Sequence, residues 1–267
     1  MSSDDLHAYA RDRGVSRPLY ALARAVLAPL LHLWLRLRVT GREHVPPDGP
    51  AIIAPNHKSF VDAFCVGLAT RRHVRFMAKI EVFGGPLGAL LMRLGAFPVR
   101  RGESDGDAVA TARAILAQGG LLVLFPEGTR VDEPDALGAP HHGAGRLAVE
   151  AGAPIVPTAI SGTSKLWLGP IPKPRRILVA FLDPVDPAAL AASPDAARAL
   201  IDEQVWPAVH DEYERLRATP GVIAAALAAA GIGGGLLARR RARRLSAPVR
   251  ILGVVEPRRL RRRRRRR

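Results

Sequence analysis

The chain has a single cysteine, Cys65, so no disulfide can form within it, and packing and hydrogen bonds must hold the fold. Acidic residues are the scarcer charge: 24 Asp and Glu against 40 Lys and Arg leave a formal +16, which directs the molecule toward anionic partners, nucleic acid or membrane phosphate. Aromatic residues make up only 5%, and no aromatic-rich strand or nucleic-acid module accompanies the arginines, which argues against specific nucleic-acid binding. No charge-free apolar run reaches the roughly 20 residues that a bilayer-spanning helix needs. Met1–Asp12 is polar and carries acids, unlike a cleavable leader. Internal repeats are also lacking.

Two stretches approach the membrane pattern without meeting it. Leu19–Leu37 is interrupted by Arg24, Pro29, His32 and Arg36. It reads as a helix lying in the membrane interface with Trp34 and the arginines at headgroup level, or else as an ordinary helix packed on the domain. Val222–Ala238 carries no charge but is mostly alanine and glycine, so a loose helix, a linker and a marginal membrane segment all fit it. The arginines beyond it, Arg239–Arg241, Arg243–Arg244 and Arg261–Arg267, form a low-complexity basic appendage with no part in catalysis.

Between these ends the chain alternates short apolar runs with helical patterns. Strands are expected at Leu37–Gly41, Ala51–Ala54, Val74–Ala78, Phe97–Val99, Leu121–Phe125, Ile155–Ile160 and Ile177–Leu182. Helices are expected at Ser59–Thr70, Pro86–Leu94, Asp105–Gln118 and His142–Ala151, with a helix-rich region from Pro187 to Arg217. The alternation predicts an α/β fold, a sheet flanked by helices, over residues 37–217. Residues 1–36 then form a helical membrane-association segment, and residues 218–267 a disordered or loosely helical extension.

Three stretches carry chemistry. Asn56-His57-Lys58-Ser59-Phe60-Val61-Asp62 places an imidazole five positions before a carboxylate. The two cannot share one face of a regular helix, so they meet only if His57 lies in the turn before a helix and Asp62 reaches back from it. A carboxylate on one ring nitrogen fixes the tautomer and leaves the other free to take a proton. Phe125-Pro126-Glu127-Gly128-Thr129-Arg130 follows a buried strand, where ligands of open α/β sheets gather, and an arginine fork there suits phosphate. Gly95-Ala96-Phe97-Pro98-Val99-Arg100-Arg101-Gly102 delivers two arginines from another strand, of which alternation admits one to the site. Lys79, after the Val74 strand, is a further cation.

Together these stretches resemble the glycerolipid acyltransferase family that contains 1-acylglycerol-3-phosphate acyltransferase. Four ordered blocks of that family have counterparts here, over about residues 37–165. Asn56–Asp62 looks like the first, with Lys58 where arginine or glutamine is commoner. Gly95–Arg101 is similar to the second, with Pro98 in place of a more usual aromatic. Phe125–Arg130 matches the third, and Ala153–Pro157 resembles the fourth, with Ala153 where a branched residue is commoner.

The resemblance implies a glycerol-3-phosphate acyltransferase-like mixed sheet and a division of labour. His57 is the general base on the acceptor hydroxyl, which attacks an acyl thioester directly, and Asp62 orients the ring. Arg130, one of Arg100 and Arg101, and Lys79 hold the acceptor phosphate, while Glu127, Gly128 and Thr129 shape the acceptor pocket. The implied acceptor is lysophosphatidic acid and the donor is acyl-CoA or acyl carrier protein. No metal or other cofactor is needed, because a thioester is already activated. The implied place is the cytoplasmic face of a membrane, on an anionic surface. The blocks constrain the reaction more tightly than the acceptor, so another lysophospholipid, a glycolipid or an aminolipid stays open, and a non-catalytic binder driven by the arginines is the reading from another class. Cys65, one turn beyond Asp62, reads as a small buried hydrophobe, His141-His142 as loop residues and Trp167 as an anchor at a loop or interface.

Overall fold

The computed structural model describes residues 2–100, 105–168, 171–189 and 195–218. All belong to the first of two units, Met1–Thr219; the second, Pro220–Arg267, which holds the uncharged stretch and the arginine runs, lies outside the described residues, as does Arg101. In chain order the elements are α1 (Ser3–Asp12), α2 (Arg17–Pro29), β1 (Arg38–Thr40), β2 (Ala51–Pro55), α3 (Val61–Ala69), β3 (Val74–Lys79), α4 (Gly85–Arg93) and β4 (Ala96–Val99). There follow α5 (Gly106–Ala117), β5 (Leu121–Val123), α6 (Gly143–Ala151), β6 (Ile155–Ser161), β7 (Trp167–Leu168), β8 (Ile171–Pro172) and β9 (Leu178–Phe181). The last helix, α7, starts at Ala196–Ala199 and continues through a wider turn at Leu200–Val205 into helical residues 206–218.

Seven strands form one sheet in the order β1-β9-β6-β2-β5-β3-β4. The run β6-β2-β5-β3-β4 is parallel throughout, while β9 pairs antiparallel with β6 and parallel with β1. The mixed, mostly parallel sheet flanked by helices therefore agrees with the sequence expectation. Continuous apolar runs explain why the central strands sit where they do. In β2, Ile52 and Ala54 pack with α5, α6 and α7, whereas Ala51 and Ile53 pack with α3 and the extension of α2. Side chains alternate across the sheet, so a strand with helices on both faces must be apolar at every position. One consequence matters most for function: β2, β3, β4 and β5 all end at the same edge of the sheet.

Two elements were not placed individually by the sequence reading. Met1–Asp12, polar in sequence and inside the helical segment expected over residues 1–36, forms α1 with a capping box between Ser2 and Asp5 and buries Leu6 and Ala10. Its anchor is remote in sequence: the buried Arg75 guanidinium donates to Ala10 O at 2.6 Å and to Gly95 O at 3.2 Å, tying α1 to the sheet. The second is the β7–β8 hairpin, whose strands are too short to show a periodicity. The predicted helix over Leu19–Leu37 is α2 followed by a π-helical turn at Leu30–Trp34, a widening at Pro29 that fits proline's missing N–H. Tyr20, Leu31 and Leu35 cover the sheet, and Leu22, Val26, Leu30, Leu33 and Trp34 stay exposed. Among the described residues no helix is long and apolar enough to cross a membrane.

The contact between α6 and α7 leaves no room for a side chain at Gly145, where an added Cβ would stand 2.2 Å from Ala197 O. Gly145→Ala should therefore destabilise the protein by about 1–3 kcal/mol. Gly143→Ala, with nothing within 4 Å of the new atom, is the control. Urea unfolding midpoints compare the two, and an unshifted Gly145→Ala midpoint would mean the helices part freely.

Candidate active site

Strand β2 ends at Pro55 and the chain turns through Asn56–Phe60 before α3 begins. Asn56 pins the turn to β6 from both ends of its amide: Nδ2 donates to Ile160 O at 3.0 Å, and Oδ1 accepts from Ile160 N–H at 2.7 Å. Asp62, in the first turn of α3, points back into the loop, and its Oδ2 accepts from the N–H groups of Lys58 and Ser59, each at 2.7 Å. The same oxygen lies 3.0 Å from His57 Nδ1. An oxygen already taking two N–H protons is an acceptor, so Nδ1 carries the hydrogen of the neutral ring and Nε2 presents its lone pair. The carboxylate is fully buried and the imidazole nearly so. Phe125, at the end of the neighbouring strand, stacks on the ring with centroids 3.9 Å apart and planes 24° from parallel, limiting its rotation.

Glu127 braces the backbone of the same loop rather than the ring. Its Oε2 accepts from His57 N–H at 2.5 Å and its Oε1 from Gly138 N–H at 2.8 Å. Burial pushes its carboxyl above the usual range, and the two N–H bonds pull back against that. Val131 N–H returns a bond to His57 O at 2.9 Å. Lys58 holds the far end of the loop over residues 131–138: its buried ammonium donates to Glu133 O at 2.7 Å and to Ala136 O, and lies 5.6 Å from the centre of the Tyr213 ring. Tyr213 OH donates to Pro134 O at 2.7 Å. The geometry of the loop that carries His57 thus depends on the helix at residues 206–218. Lys58, Tyr213 and Phe125 were not marked as functional by sequence, since their partners lie 70 or more positions away or on another strand.

Two clefts open at this edge of the sheet. One, of roughly 690 Å³, lies beyond β5 and is lined by Lys79, Arg100, Glu127, Gly128, Thr129, His141 and Arg146, with Met77, Val99, Val109 and Leu147 as apolar walls. It gathers one cation from the end of β3, one from the end of β4 and one from α6. The other, of roughly 680 Å³, lies toward β6 and is lined by Ser59, Phe60, Arg130, Thr163, Lys165 and Trp167. His57 stands in the turn just past β2, the strand that lies between β5 and β6.

The expected cation cluster is therefore brought together in part. Lys79 and Arg100 share one cleft, and Arg130 lines the other. The cause is the turn at Gly128, whose φ of +67 suits glycine and reverses the chain, so that Thr129 and Arg130 face different clefts. Arg146, on α6, joins the first cleft instead, a residue that the sequence did not single out because the crossing of α6 over this edge is a property of the packed sheet. Cys65 is buried in the core and burial pushes its thiol far up, which leaves it inert. His142 Nε2 pairs with Asp202 at 3.0 Å, His141 faces the first cleft, and among the described residues no group of three His, Cys, Asp or Glu side chains could hold a metal.

An imidazole with a fixed tautomer, beside a cleft with cations on one side and apolar walls on the other, can deprotonate a hydroxyl on an amphipathic anion. The Acyltransferase family pattern matches residues 36–161. The 1-acyl-sn-glycerol-3-phosphate acyltransferase of Bacillus subtilis (strain 168) is 31% identical over 148 residues, covering 55% of this chain and 73% of that protein. A chloroplastic enzyme of the same description from Arabidopsis thaliana is 29% identical over 140 residues, and the match spans 51% of this chain and 39% of that longer protein. The human alpha enzyme of that description is 30% identical over 192 residues, 68% of this chain and 65% of its own length. The crystal structure of the 1-acyl-sn-glycerophosphate (LPA) acyltransferase PlsC from Thermotoga maritima superposes with a TM-score of 0.58 at 24% identity, covering 73% of this chain and 78% of that one, and so shares the fold. The chain belongs to the acyltransferase family.

Proposed function

We propose that the protein is a 1-acyl-sn-glycerol-3-phosphate O-acyltransferase that moves a fatty acyl group from a thioester to the sn-2 hydroxyl of lysophosphatidic acid, giving phosphatidic acid. The observation that carries this reading is the His57–Asp62 bond of 3.0 Å at the sheet edge where Lys79 and Arg100 line one cleft. His57 Nε2 takes the hydroxyl proton as the oxygen attacks the thioester carbonyl. The tetrahedral intermediate collapses, the carbon–sulfur bond breaks, and the proton on the imidazole passes to the departing thiolate. Asp62 keeps Nδ1–H pointed at itself and stabilises the imidazolium that forms. Lys79 and Arg100 hold the acceptor's phosphate monoester, and Glu127 fixes the loop that carries His57.

The donor in this reading is acyl-CoA or acyl carrier protein, and the enzyme works on the cytoplasmic face of an anionic membrane. The exposed apolar side of α2, from Leu22 to Trp34, suits the membrane interface, because a helix burying one stripe on the protein and offering another to lipid lies flat rather than spanning.

Three outcomes follow. His57→Ala should lower acyl transfer to lysophosphatidic acid by roughly 10² to 10⁴, and Asp62→Asn by a comparable factor, with the fold intact by circular dichroism; near-normal turnover of His57→Ala would end the mechanism. Lys79→Ala and Arg100→Ala should each raise KM for lysophosphatidic acid about tenfold or more, since a charge-assisted bond is worth about 1.5–3 kcal/mol, while leaving KM for an uncharged monoacylglycerol unchanged. Equal effects on both acceptors would place the phosphate elsewhere.

The third outcome is a pH effect on stability. Burial raises the folded pKa of Glu127 above its unfolded value, so over a window above the ordinary carboxylate range the folded protein retains a proton that the unfolded chain has lost. Its contribution is fully present below that window and falls as pH rises through the folded pKa. Glu127→Gln abolishes this term, so between about pH 4 and 8 the difference in unfolding free energy should move in favour of the glutamine variant as pH rises. A pH-independent difference would contradict the assignment.

A further inference from the structure

The β7–β8 hairpin stands apart from the seven-stranded sheet, and its side chains are oddly placed for a surface in water. Leu168 is 71% exposed, Ile171 62% and Trp167 40%. They are not isolated. Trp34 Nε1 donates to Pro172 O at 2.7 Å, which sets the exposed end of the α2 extension, with Leu30 and Leu33, beside the hairpin. On the other side the Trp167 ring stacks on Phe60, with centroids 5.5 Å apart and planes 11° from parallel, and Phe60 in turn meets Phe64 edge-on at 6.1 Å. Phe60 is itself exposed and lies three residues from His57. An apolar surface thus runs from the α2 extension across the hairpin to the mouth of the second cleft.

The charge around this surface has one sign. Residues 161–182 contain Lys165, Lys173, Arg175 and Arg176 and not one acid. Among the described residues none of these four cations is in a salt bridge; Lys173 Nζ donates to Lys165 O at 3.3 Å and Arg175 to Ser164 O. Apolar side chains including a tryptophan, backed by cations, are the combination that seats a protein segment at the headgroup level of an anionic bilayer: the apolar groups leave water and the cations meet lipid phosphate.

We propose that the hairpin is a second membrane-contact element, seated in the interface of an anionic bilayer beside α2, and that it sets Phe60 and the second cleft against the lipid. The role goes beyond the α2 anchor. It places the route to His57 at the membrane surface, so that long-chain substrates reach the imidazole without leaving lipid. It rests on the acyltransferase reading for that purpose, but its test needs no turnover.

The test uses the full chain. Cys65 is the one cysteine and is buried, so Leu168→Cys can be labelled selectively with an environment-sensitive fluorophore, and Ala117→Cys, exposed on α5 on the opposite face of the sheet, supplies the control. Vesicles of phosphatidylcholine with phosphatidylglycerol are added without substrate. The label at position 168 should brighten at least about threefold, and that at 117 should hardly change. Separately, Leu168→Asp with Ile171→Asp should weaken partitioning onto these vesicles about tenfold while leaving turnover of short-chain, water-dispersed substrates within about twofold. Bound protein whose label at 168 stays dark would overturn the proposal, since α2 or the arginine runs would then account for the binding. A label that responds to acyl carrier protein and not to vesicles would also overturn it, in favour of a protein partner. An inactive enzyme whose label still brightens would sink the acyltransferase reading alone.

Discussion

Everything at this site depends on one carboxylate oxygen. Asp62 Oδ2 gathers the N–H groups of Lys58 and Ser59 and the Nδ1–H of His57, so a single buried atom both closes the turn after β2 and orients the imidazole. The arrangement solves the spacing problem: five positions separate His57 and Asp62, too many for neighbours on one helical face, and the turn folds the chain back by the missing distance. Lys58 and Ser59, between them, become part of the constraint because their backbone supplies the donors. Replacing the acid therefore disturbs loop and ring together, which is why the imidazole and its orienting group cannot be varied independently.

The sheet supplies what the turn cannot. Parallel strands send their carboxyl ends to one edge, so Lys79 at the end of β3, Arg100 after β4 and Glu127 after β5 line one cleft although they come from segments far apart in the chain, and Glu127 links that cleft to the His57 backbone. The crossover helices that make this parallel order possible are also the walls of the first cleft. Around the site a chain of braces extends outward. Glu127 holds the His57 backbone, Gly138 holds Glu127, and Lys58 and Tyr213 hold the loop between. Rigidity at the imidazole is thus borrowed from a helix near the end of the described residues.

How much of this was legible in the sequence depends on the range of the interaction. The strands and their order of appearance were readable because an uninterrupted apolar run such as Leu121–Leu124 has few alternatives to a strand covered on both faces. The His57–Asp62 pairing was readable because both residues lie within one turn of chain. The partition of the cations was not: Arg130 follows Glu127 by three positions, yet the reversal at Gly128 sends it to the second cleft, and Arg146 reaches the first cleft only because α6 crosses there. The packing of α1 on the sheet was hidden for a similar reason, since its apolar face is narrow and its hold is the Arg75 side chain, 65 positions away. Local chemistry shows in the sequence; which strand end faces which cleft is a property of the packed sheet.

The proposed chemistry turns on the protonation pattern of one ring, and nitrogen-15 NMR of the enzyme labelled in its histidines reads that pattern directly. The neutral His57 ring should carry its hydrogen on Nδ1, with Nε2 an unprotonated acceptor, and Asp62→Asn should abolish this preference. A neutral His57 protonated on Nε2 in the unaltered enzyme would contradict that chemistry, because no base would then face the acceptor hydroxyl.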